Sequence, residues 1–425
     1  MIYSEHPKTP KKGRKKGTKI MIQIAILGFG VVGSGTAEVL TENQKLIAQR
    51  CGEEINVKYI LDLREFPEHP LGDRVVHDIN VILADPEVSI VAEMMGGSHP
   101  AYDFTKSALQ AGKSVVTSNK EVVANFGAEL LELAQQNGVS YLFEASVGGG
   151  IPIIRPLQVD LASNEILSVS GILNGTTNFI LTKMKNEGTD FASALKEAQA
   201  NGYAEANPAA DVEGLDAARK IVILAALAFG KLLSPNEISV EGITHITSEQ
   251  TAVAESLGCA VKLIGHTECI NGKVLALVAP HLVPNENPVH HVAGVFNGIL
   301  VDANMLGRAL FYGAGAGKLP TASAVVADIV NIATGAARSS RLQWKIATAA
   351  DSAAVADRVC RRCFVMEGCA QCAEKTKAHF GFDSYVLDET KGTFAFISRP
   401  MSGAEADSAL SACKKTLCWT MPVLD

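Results

Sequence analysis

The chain has 425 residues, 47% hydrophobic and 20% charged, with 38 basic and 45 acidic side chains for a net charge of −7. That is length for two or three domains with the make-up of a globular protein, which excludes wholesale disorder, a collagen-like fibre and a disulfide-dense miniprotein. Seven Lys and Arg against Glu5 give the first twenty residues a charge of +6, so the remainder stands at −13 and argues against nucleic acid as the main partner.

Taken in chain order, residues 8–19 form a basic run broken by Pro10, Gly13 and Gly17. It holds too little apolar surface to offset the entropy of ordering, so residues 1–20 read as a disordered tail ahead of a natural start at Met21. No apolar stretch inside it makes a secretory signal. Residues 22–27 (Ile-Gln-Ile-Ala-Ile-Leu) are a β-rich run that stops at Gly28. The loop Gly28-Phe29-Gly30-Val31-Val32-Gly33 follows and opens a helix expected to run to about Arg50. A strand before and a helix after are the setting in which GxGxxG binds a dinucleotide. Gly28 permits the tight turn, Gly30 lets a pyrophosphate approach the backbone, and Gly33 lets helix and strand pack closely. The positive end of the helix then faces the phosphates.

A second strand, 57–61, ends at Asp62, where an acid would accept hydrogen bonds from an adenosine ribose. Arg64, two residues on, suits a 2′-phosphate instead, so NAD(H) and NADP(H) both stay open, with the balance towards NADP(H). Strand-like and helical segments then alternate through 88–95, 102–111, 114–117, 128–137 and 140–144. Such alternation predicts an α/β fold with a doubly wound parallel sheet of the Rossmann type over residues 21–150.

Glycines and a proline at residues 145–152 mark a crossing into a second, α+β region over 151–315. Strands are expected there at 167–172 and 273–280, and helices at 191–201 and 216–229. The apolar run 221–229 is about half a membrane span, so no transmembrane helix is expected. A glycine-rich turn at 312–317 precedes a helix over about 321–334, placing 316–340 back with the first domain. A connector carrying Arg338 and Arg341 leads to a final unit over 357–425.

The nine cysteines are an odd number without an export signal, which reads as free thiols in a reducing, cytoplasmic setting. Cys360, Cys363, Cys369 and Cys372 make two CxxC pairs. Only five residues separate the pairs and Cys363-Phe364-Val365-Met366 looks like a strand, so thiols are expected rather than a zinc site.

Several further segments occur in a fixed order: Val116-Thr117-Ser118-Asn119-Lys120, Gly171-Ile172-Leu173-Asn174-Gly175-Thr176-Thr177-Asn178, Gly202-Tyr203-Ala204-Glu205, Asp216-Ala217-Ala218-Arg219-Lys220, and Gly315-Ala316-Gly317-Lys318-Leu319-Pro320-Thr321-Ala322. With the glycine loop they closely resemble homoserine dehydrogenase over about residues 21–337. The resemblance implies NAD(P)H-dependent interconversion of L-aspartate 4-semialdehyde and L-homoserine, on the route to threonine, methionine and isoleucine. It implies Lys220 as proton donor, with Lys120 near the nicotinamide and the substrate. A lysine suits that role because burial lowers its pKa towards neutrality. Glu205 and Asp216 match the acids that hold the small-molecule substrate, Asp211 matches a further acid, and Asn174, Gly175 and Thr176 match its loop. Gly96, Ser118, Asn119 and Gly317 fall at cofactor-facing positions. Glu144, Val147, Gly149 and Ile151 match the positions of a monovalent cation, expected to be Na+ and held mostly by backbone carbonyls. The family also implies a homodimer or homotetramer assembled through the second domain.

Read without the resemblance, Asp216 and Lys220 are an i,i+4 pair, ordinarily a surface ion pair worth about 0.2–0.5 kcal/mol. Bacterial relatives often end in a βαββαβ unit of the ACT type that binds an effector such as threonine. Strands at 360–366, 384–387 and 393–398 and helices at 369–380 and 404–416 fit that plan. The acidic-x-Pro-Gly turn expected after the first strand is replaced by Glu367-Gly368-Cys369, which leaves threonine open as an effector. Two other functions compete for these residues. An aldehyde-oxidising dehydrogenase needs a nucleophilic cysteine, and none lies between Gly52 and Gly258. A non-catalytic amino-acid sensor would not need Lys120, Glu205, Asp216 and Lys220 intact.

Overall fold

The computed structural model describes residues 21–336 and 342–425, so the basic tail and the arginines of the connector lie outside the described residues. The first sheet is parallel and six-stranded: β1 (Met21–Leu27), β2 (Glu54–Leu61), β3 (Val75–Val76), β4 (Val88–Glu93), β5 (Ser114–Thr117) and β6 (Tyr141–Leu142). Its order is β3-β2-β1-β4-β5-β6. Strand order reverses between β1 and β4, and the crevice outside the strand ends at such a switch point is where dinucleotides bind. Ile24 to Leu27 are fully buried on both faces, as a central parallel strand covered by helices requires.

The helix expected to reach Arg50 is two helices. Val31–Glu42 (α1) stops at Asn43, and a second, Gln44–Cys51, runs on to Gly52 in the left-handed conformation. The strand after it accordingly starts three residues earlier than predicted, at Glu54. Helix α2 (Lys120–Gln136) also begins earlier, because the Asn119 side chain caps it by accepting from the amides of Glu121 and Val122.

Beyond the crossing the chain forms β7 (Ile166–Ile172), α3 (Gly175–Glu187), α4 (Leu215–Phe229), β8 (Lys231–Leu232), β9 (Ser239–Val240), β10 (Cys259–Ile270), β11 (Lys273–Pro284), β12 (Phe296–Ala303) and β13 (Gly307–Ala314). Six of these strands make a mixed sheet in the order β13-β12-β7-β10-β11-β9. The β10–β11 hairpin turns on Asn271 and Gly272, both at positive φ, the backbone that a two-residue turn of this twist demands. Helix α4 lies against this sheet, with Ile221 set over Gly265 of β10. Helix α5 (Lys318–Ala333) then returns to the first sheet, its Val325, Val326 and Ile329 sharing a core with Ile24 and Ile26. Short β14 (Lys345–Ile346) pairs in parallel with β8.

The C-terminal unit is β15 (Arg362–Glu367), α6 (Ala370–Phe380), β16 (Tyr385–Asp388), β17 (Thr393–Ile397), α7 (Gly403–Cys413) and β18 (Leu417–Pro422). Its antiparallel sheet runs β16-β17-β15-β18 over a separate core of Phe364, Phe380, Phe394 and Phe396. Among the described residues no helix is long and apolar enough to cross a membrane.

Candidate active site

Where the two larger sheets meet, a cavity of about 590 Å³ opens. On one side lie Val31 and Val32 of the glycine loop, at the start of α1. Gly28 sits at φ +85, and a Cβ on Gly33 would collide with the Gly28 carbonyl oxygen, so both positions need glycine for the turn to close. At the tip of β2, Asp62 accepts the Phe29 amide at 2.7 Å and grips Arg64 through Nε and Nη2, each at 2.9 Å. That guanidinium and the Phe29 amide outweigh partial burial and hold the Asp62 carboxyl below the usual carboxylate range.

The floor is a cluster of charges that come from different parts of the sequence. Asp216 stands in the first turn of α4, and its carboxylate bridges two ammonium groups: Lys120 Nζ at 2.8 Å on Oδ1 and Lys220 Nζ at 2.8 Å on Oδ2. The Lys220 and Asp216 side chains are only 9% and 10% exposed, whereas Lys120 is 38% exposed. This is a buried pair, not the surface contact that i,i+4 spacing alone suggests. Lys220 Nζ also donates to the Leu173 carbonyl at 2.7 Å, just past β7. Asn174 caps α3 by accepting the Thr177 amide at 2.9 Å, and its Nδ2 donates to Asp216 at 3.0 Å and Asp211 at 2.7 Å.

Burial works in opposite directions on these groups. It lowers the Lys220 ammonium, and Asp216 only partly restores it. It pushes Asp216 upward too, but Lys220 and Lys120 overcome it, so this carboxyl lies well below its ordinary range and stays ionised. Asp211 has no such lysine contact, and burial raises it. A lysine of lowered pKa against a fixed anion, opening on a cavity, is the arrangement of a proton donor or acceptor.

The model of the homoserine dehydrogenase NAD-binding domain matches residues 28–144, and that of homoserine dehydrogenase itself matches 152–330. Homoserine dehydrogenase of Neisseria gonorrhoeae is 44% identical over 314 residues, covering 73% of this chain and 72% of that protein. The Synechocystis enzyme is 45% identical over 316 residues, 73% of each. The chain belongs to the homoserine dehydrogenase family. It is thus an NAD(P)-dependent oxidoreductase. The structure of a homoserine dehydrogenase from Thiobacillus denitrificans superposes with a TM-score of 0.83 at 34% identity, over 95% of this chain and 98% of that one. A hyperthermophilic archaeal homoserine dehydrogenase in complex with NADPH superposes at 0.63 and 28% identity, over 73% and 97%.

In this homoserine dehydrogenase fold the expected residues fall into three groups. Lys120, Lys220, Asp216, Asp211, Asn174, Gly175, Thr176, Ser118, Gly317, Val31, Val32, Val147 and Gly149 line the cavity. Asp62 and Arg64 stand beside the glycine loop, with Asp62 on the Phe29 amide, and are outside the lining. Glu205 and Gly96 are exposed and outside the lining. Gln199 Nε2 fastens the Glu205 carbonyl at 3.1 Å, two residues beyond Tyr203, which does face the cavity. The Glu144 side chain is already committed, accepting the amides of Ile153, Ile154 and Arg155 at 2.7–2.8 Å. The carbonyls of Val147, Gly149 and Ile151 accept no hydrogen bond among the described residues, a donor set that fits a hard cation. No cluster of three or more His, Cys, Asp or Glu able to hold a metal occurs among the described residues.

Two residues escaped the sequence reading. Glu93, fully buried at the end of β4, accepts Thr117 Oγ1 at 2.6 Å and the Met95 amide at 2.7 Å. Thr117 Oγ1 accepts the Asn119 amide at 2.9 Å, and Asn119 Nδ2 reaches the Gly97 carbonyl at 2.9 Å. The chain of bonds sets the helix start from which Lys120 projects, and burial pushes Glu93 up to about 7. Asn297, on β12, is buried at the cavity wall with its Oδ1 unpartnered. The one signal for Glu93 was an acid inside the apolar run Ile90 to Met95; nothing in the sequence marked Asn297.

Proposed function

We propose that this cleft interconverts L-aspartate 4-semialdehyde and L-homoserine, with Lys220 passing the proton at the substrate oxygen. A reduced nicotinamide bound along the glycine loop supplies the hydride to the aldehyde carbon. Lys220 Nζ then gives a proton to the oxygen that becomes the hydroxyl, and in the reverse direction the neutral amine takes it back. Asp216 keeps that amine aimed, and Lys120 sits on the same carboxylate at the open side of the cavity. The acids Asp211, Asp216 and Glu205 are assigned to the ammonium group of the substrate, and Asn174, Gly175 and Thr176 to its loop. The Lys120–Asp216–Lys220 bridge is the observation that carries this reading.

The cofactor reading is NADP(H) ahead of NAD(H). Asp62, which would repel a 2′-phosphate, is neutralised by Arg64, whose side chain is 62% exposed and available to that phosphate. A monovalent cation, Na+, is assigned to the free carbonyls of Val147, Gly149 and Ile151, where it would stiffen the domain crossing. Self-association through the second sheet is supported by Leu310 and Tyr312 of edge strand β13, with Leu167 and Phe296, all large and exposed. A cytoplasmic setting is supported by nine cysteines that are all free.

Steady-state oxidation of L-homoserine with NAD and NADP in parallel tests the assignment. Turnover with NADP at the higher kcat/KM is expected. No rate with either cofactor would remove the assignment. Turnover only with NAD would remove the role given to Arg64.

A further inference from the structure

The C-terminal unit holds chemistry for which the dehydrogenase reaction has no use. Cys369 immediately precedes α6 and Cys372 lies in its first turn, and their sulfurs are 3.6 Å apart. The Cys372 amide donates to the Cys369 carbonyl at 2.8 Å, so the turn holds the two side chains side by side. Lys415, from the segment after α7, brings its Nζ to 3.2 Å from Cys372 Sγ. Cys369 is exposed and Cys372 half-buried, so an oxidant in solution can reach them.

The other CxxC pair is of a different character. Cys363 is fully buried in β15 and burial pushes its thiol far up, while Cys360 is buried with its backbone bridged to Met401. Among the described residues the four sulfurs form no metal-holding cluster. The Cys369–Cys372 pair, in contrast, has three influences that favour a thiolate: amides at a helix start, a neighbouring thiol and an ammonium group. Together they bring Cys372 down to about 7.

We propose that Cys369 and Cys372 form a reversible dithiol–disulfide site that reacts with low-molecular-weight disulfides. The Cys372 thiolate attacks one sulfur of the disulfide, whose S–S bond breaks and releases one thiolate, leaving a mixed disulfide on Cys372. Cys369 loses its proton to solvent and attacks Cys372 Sγ, expelling the second thiolate. The protein gives up two electrons and two protons, and the disulfide is reduced to two thiols. Closure from 3.6 Å to the bond length of about 2.05 Å needs side-chain rotation within one helical turn. The pair lies beside Gly368, whose amide donates to the Gly392 carbonyl at 2.7 Å. Next to Gly392, Lys391 is paired with Glu249 of the substrate-binding region at 2.8 Å. The site thus sits by a contact between the C-terminal unit and the rest of the enzyme.

The test uses the full chain equilibrated anaerobically at pH 7 in oxidised and reduced glutathione of graded ratio, quenched by alkylation and read by peptide mass. The expected result is joint loss of two thiols with Cys369 and Cys372 cross-linked and two hydrogens lighter. The Cys369→Ser variant should instead keep one stable glutathione adduct on Cys372. The Lys415→Met variant should slow the first step about three- to ten-fold, from the lost thiolate fraction offset by greater nucleophilicity. If exposed Cys269 and Cys418 took up glutathione while the pair stayed reduced, the proposal would be overturned. A lasting adduct on Cys372 in the unaltered chain, with Cys369 free, would overturn it equally.

Discussion

The cleft and the C-terminal unit stand under different constraints. In the cleft, Lys120 comes from a helix far in sequence from the one that carries Asp216 and Lys220, and both ammonium groups are held at 2.8 Å on the Asp216 carboxylate. Moving Asp216 leaves the buried Lys220 charge uncompensated, which is costly in a medium of low dielectric. In the C-terminal unit, five phenylalanines (Phe364, Phe380, Phe382, Phe394 and Phe396) pack in one core with an antiparallel sheet. Such a core tolerates exchange of one hydrophobic residue for another if volume and pattern are kept. The comparisons reflect this. The family models stop at residue 330, whereas the structural likeness extends over 95% of the chain. Chemistry fixes side chains, and packing fixes only a pattern.

The sharpest way to break this contrast is at Lys220. Lys220→Ala should cut kcat by about 10²–10⁴-fold, the range for loss of a positioned acid, with KM for homoserine changed much less. In the unaltered enzyme, aldehyde reduction needs the ammonium form and should fall as pH rises through the Lys220 pKa. Homoserine oxidation needs the free amine and should rise over the same range. Burial places that limb below the ordinary lysine range. Unchanged turnover in Lys220→Ala, measured in both directions, would remove the lysine from the mechanism and leave the cluster a structural one.

Asp216→Asn asks whether the anion or only its shape matters. The amide keeps the volume but leaves two neighbouring ammonium groups without a counter-charge. Breaking a buried pair in this way costs about 3–5 kcal/mol, which thermal unfolding would register as a clear fall in Tm. Without the anion the Lys220 ammonium is less favoured, so the limb of the pH–rate profile should move to lower pH. A limb that stayed in place, with Tm lowered, would mean that Asp216 serves stability alone.

Glu93 tests a contact one layer behind the cavity, so its effect should be smaller. Glu93→Gln should lower kcat/KM about five-fold, the loss of roughly 1 kcal/mol of hydrogen bonding to the turn that carries Lys120. Its folded pKa of about 7 lies above the value of about 4.3 for an unfolded chain. A group raised in this way contributes stability that is complete below the unfolded value and lost as pH rises through the folded one. The stability of the unaltered enzyme relative to Glu93→Gln should therefore decline between about pH 4 and 7. A difference in Tm independent of pH across that window would show that Glu93 does not titrate as described.

How much of this was legible in the sequence follows the same division. The glycine loop was legible because its turn collides with any Cβ, so only glycine serves at Gly33. The βαββαβ order was legible because the short, unbroken apolar runs Phe364 to Met366 and Phe394 to Phe396 mark strands. The burial of Asp216 and Lys220 was not, since i,i+4 spacing is the same at a surface and in a cleft. Only the family resemblance pointed to it. Asn297 was beyond reach because its setting is made by β12, α3 and the 312–317 turn coming together, which no local pattern encodes. The break at Asn43 was missed because the residues on either side of it are each compatible with a helix. Glu205 is the reverse case: its motif is intact while its loop leaves the side chain exposed, so the motif alone carries its assignment.

The smallest effect should come from threonine, and it bears on the C-terminal side of the contrast. An amino-acid effector would have to be received at the turn after β15, where this chain has Glu367-Gly368-Cys369. Gly368 has φ +152, and the place of its missing Cβ is hemmed by Cys372 Cβ at 2.7 Å and a Phe394 ring carbon at 2.9 Å. Its amide is already used by the Gly392 carbonyl. On that side the turn is closed by the unit's own residues, and its amide is no longer free for a ligand. Threonine at millimolar concentration should therefore change the rate of homoserine oxidation by less than the roughly five-fold at the low end of allosteric coupling. Stronger inhibition, measured with the cysteines reduced and again with Cys369 and Cys372 oxidised, would show that the turn opens. It would also show that the C-terminal unit is bound by chemistry as strictly as the cleft.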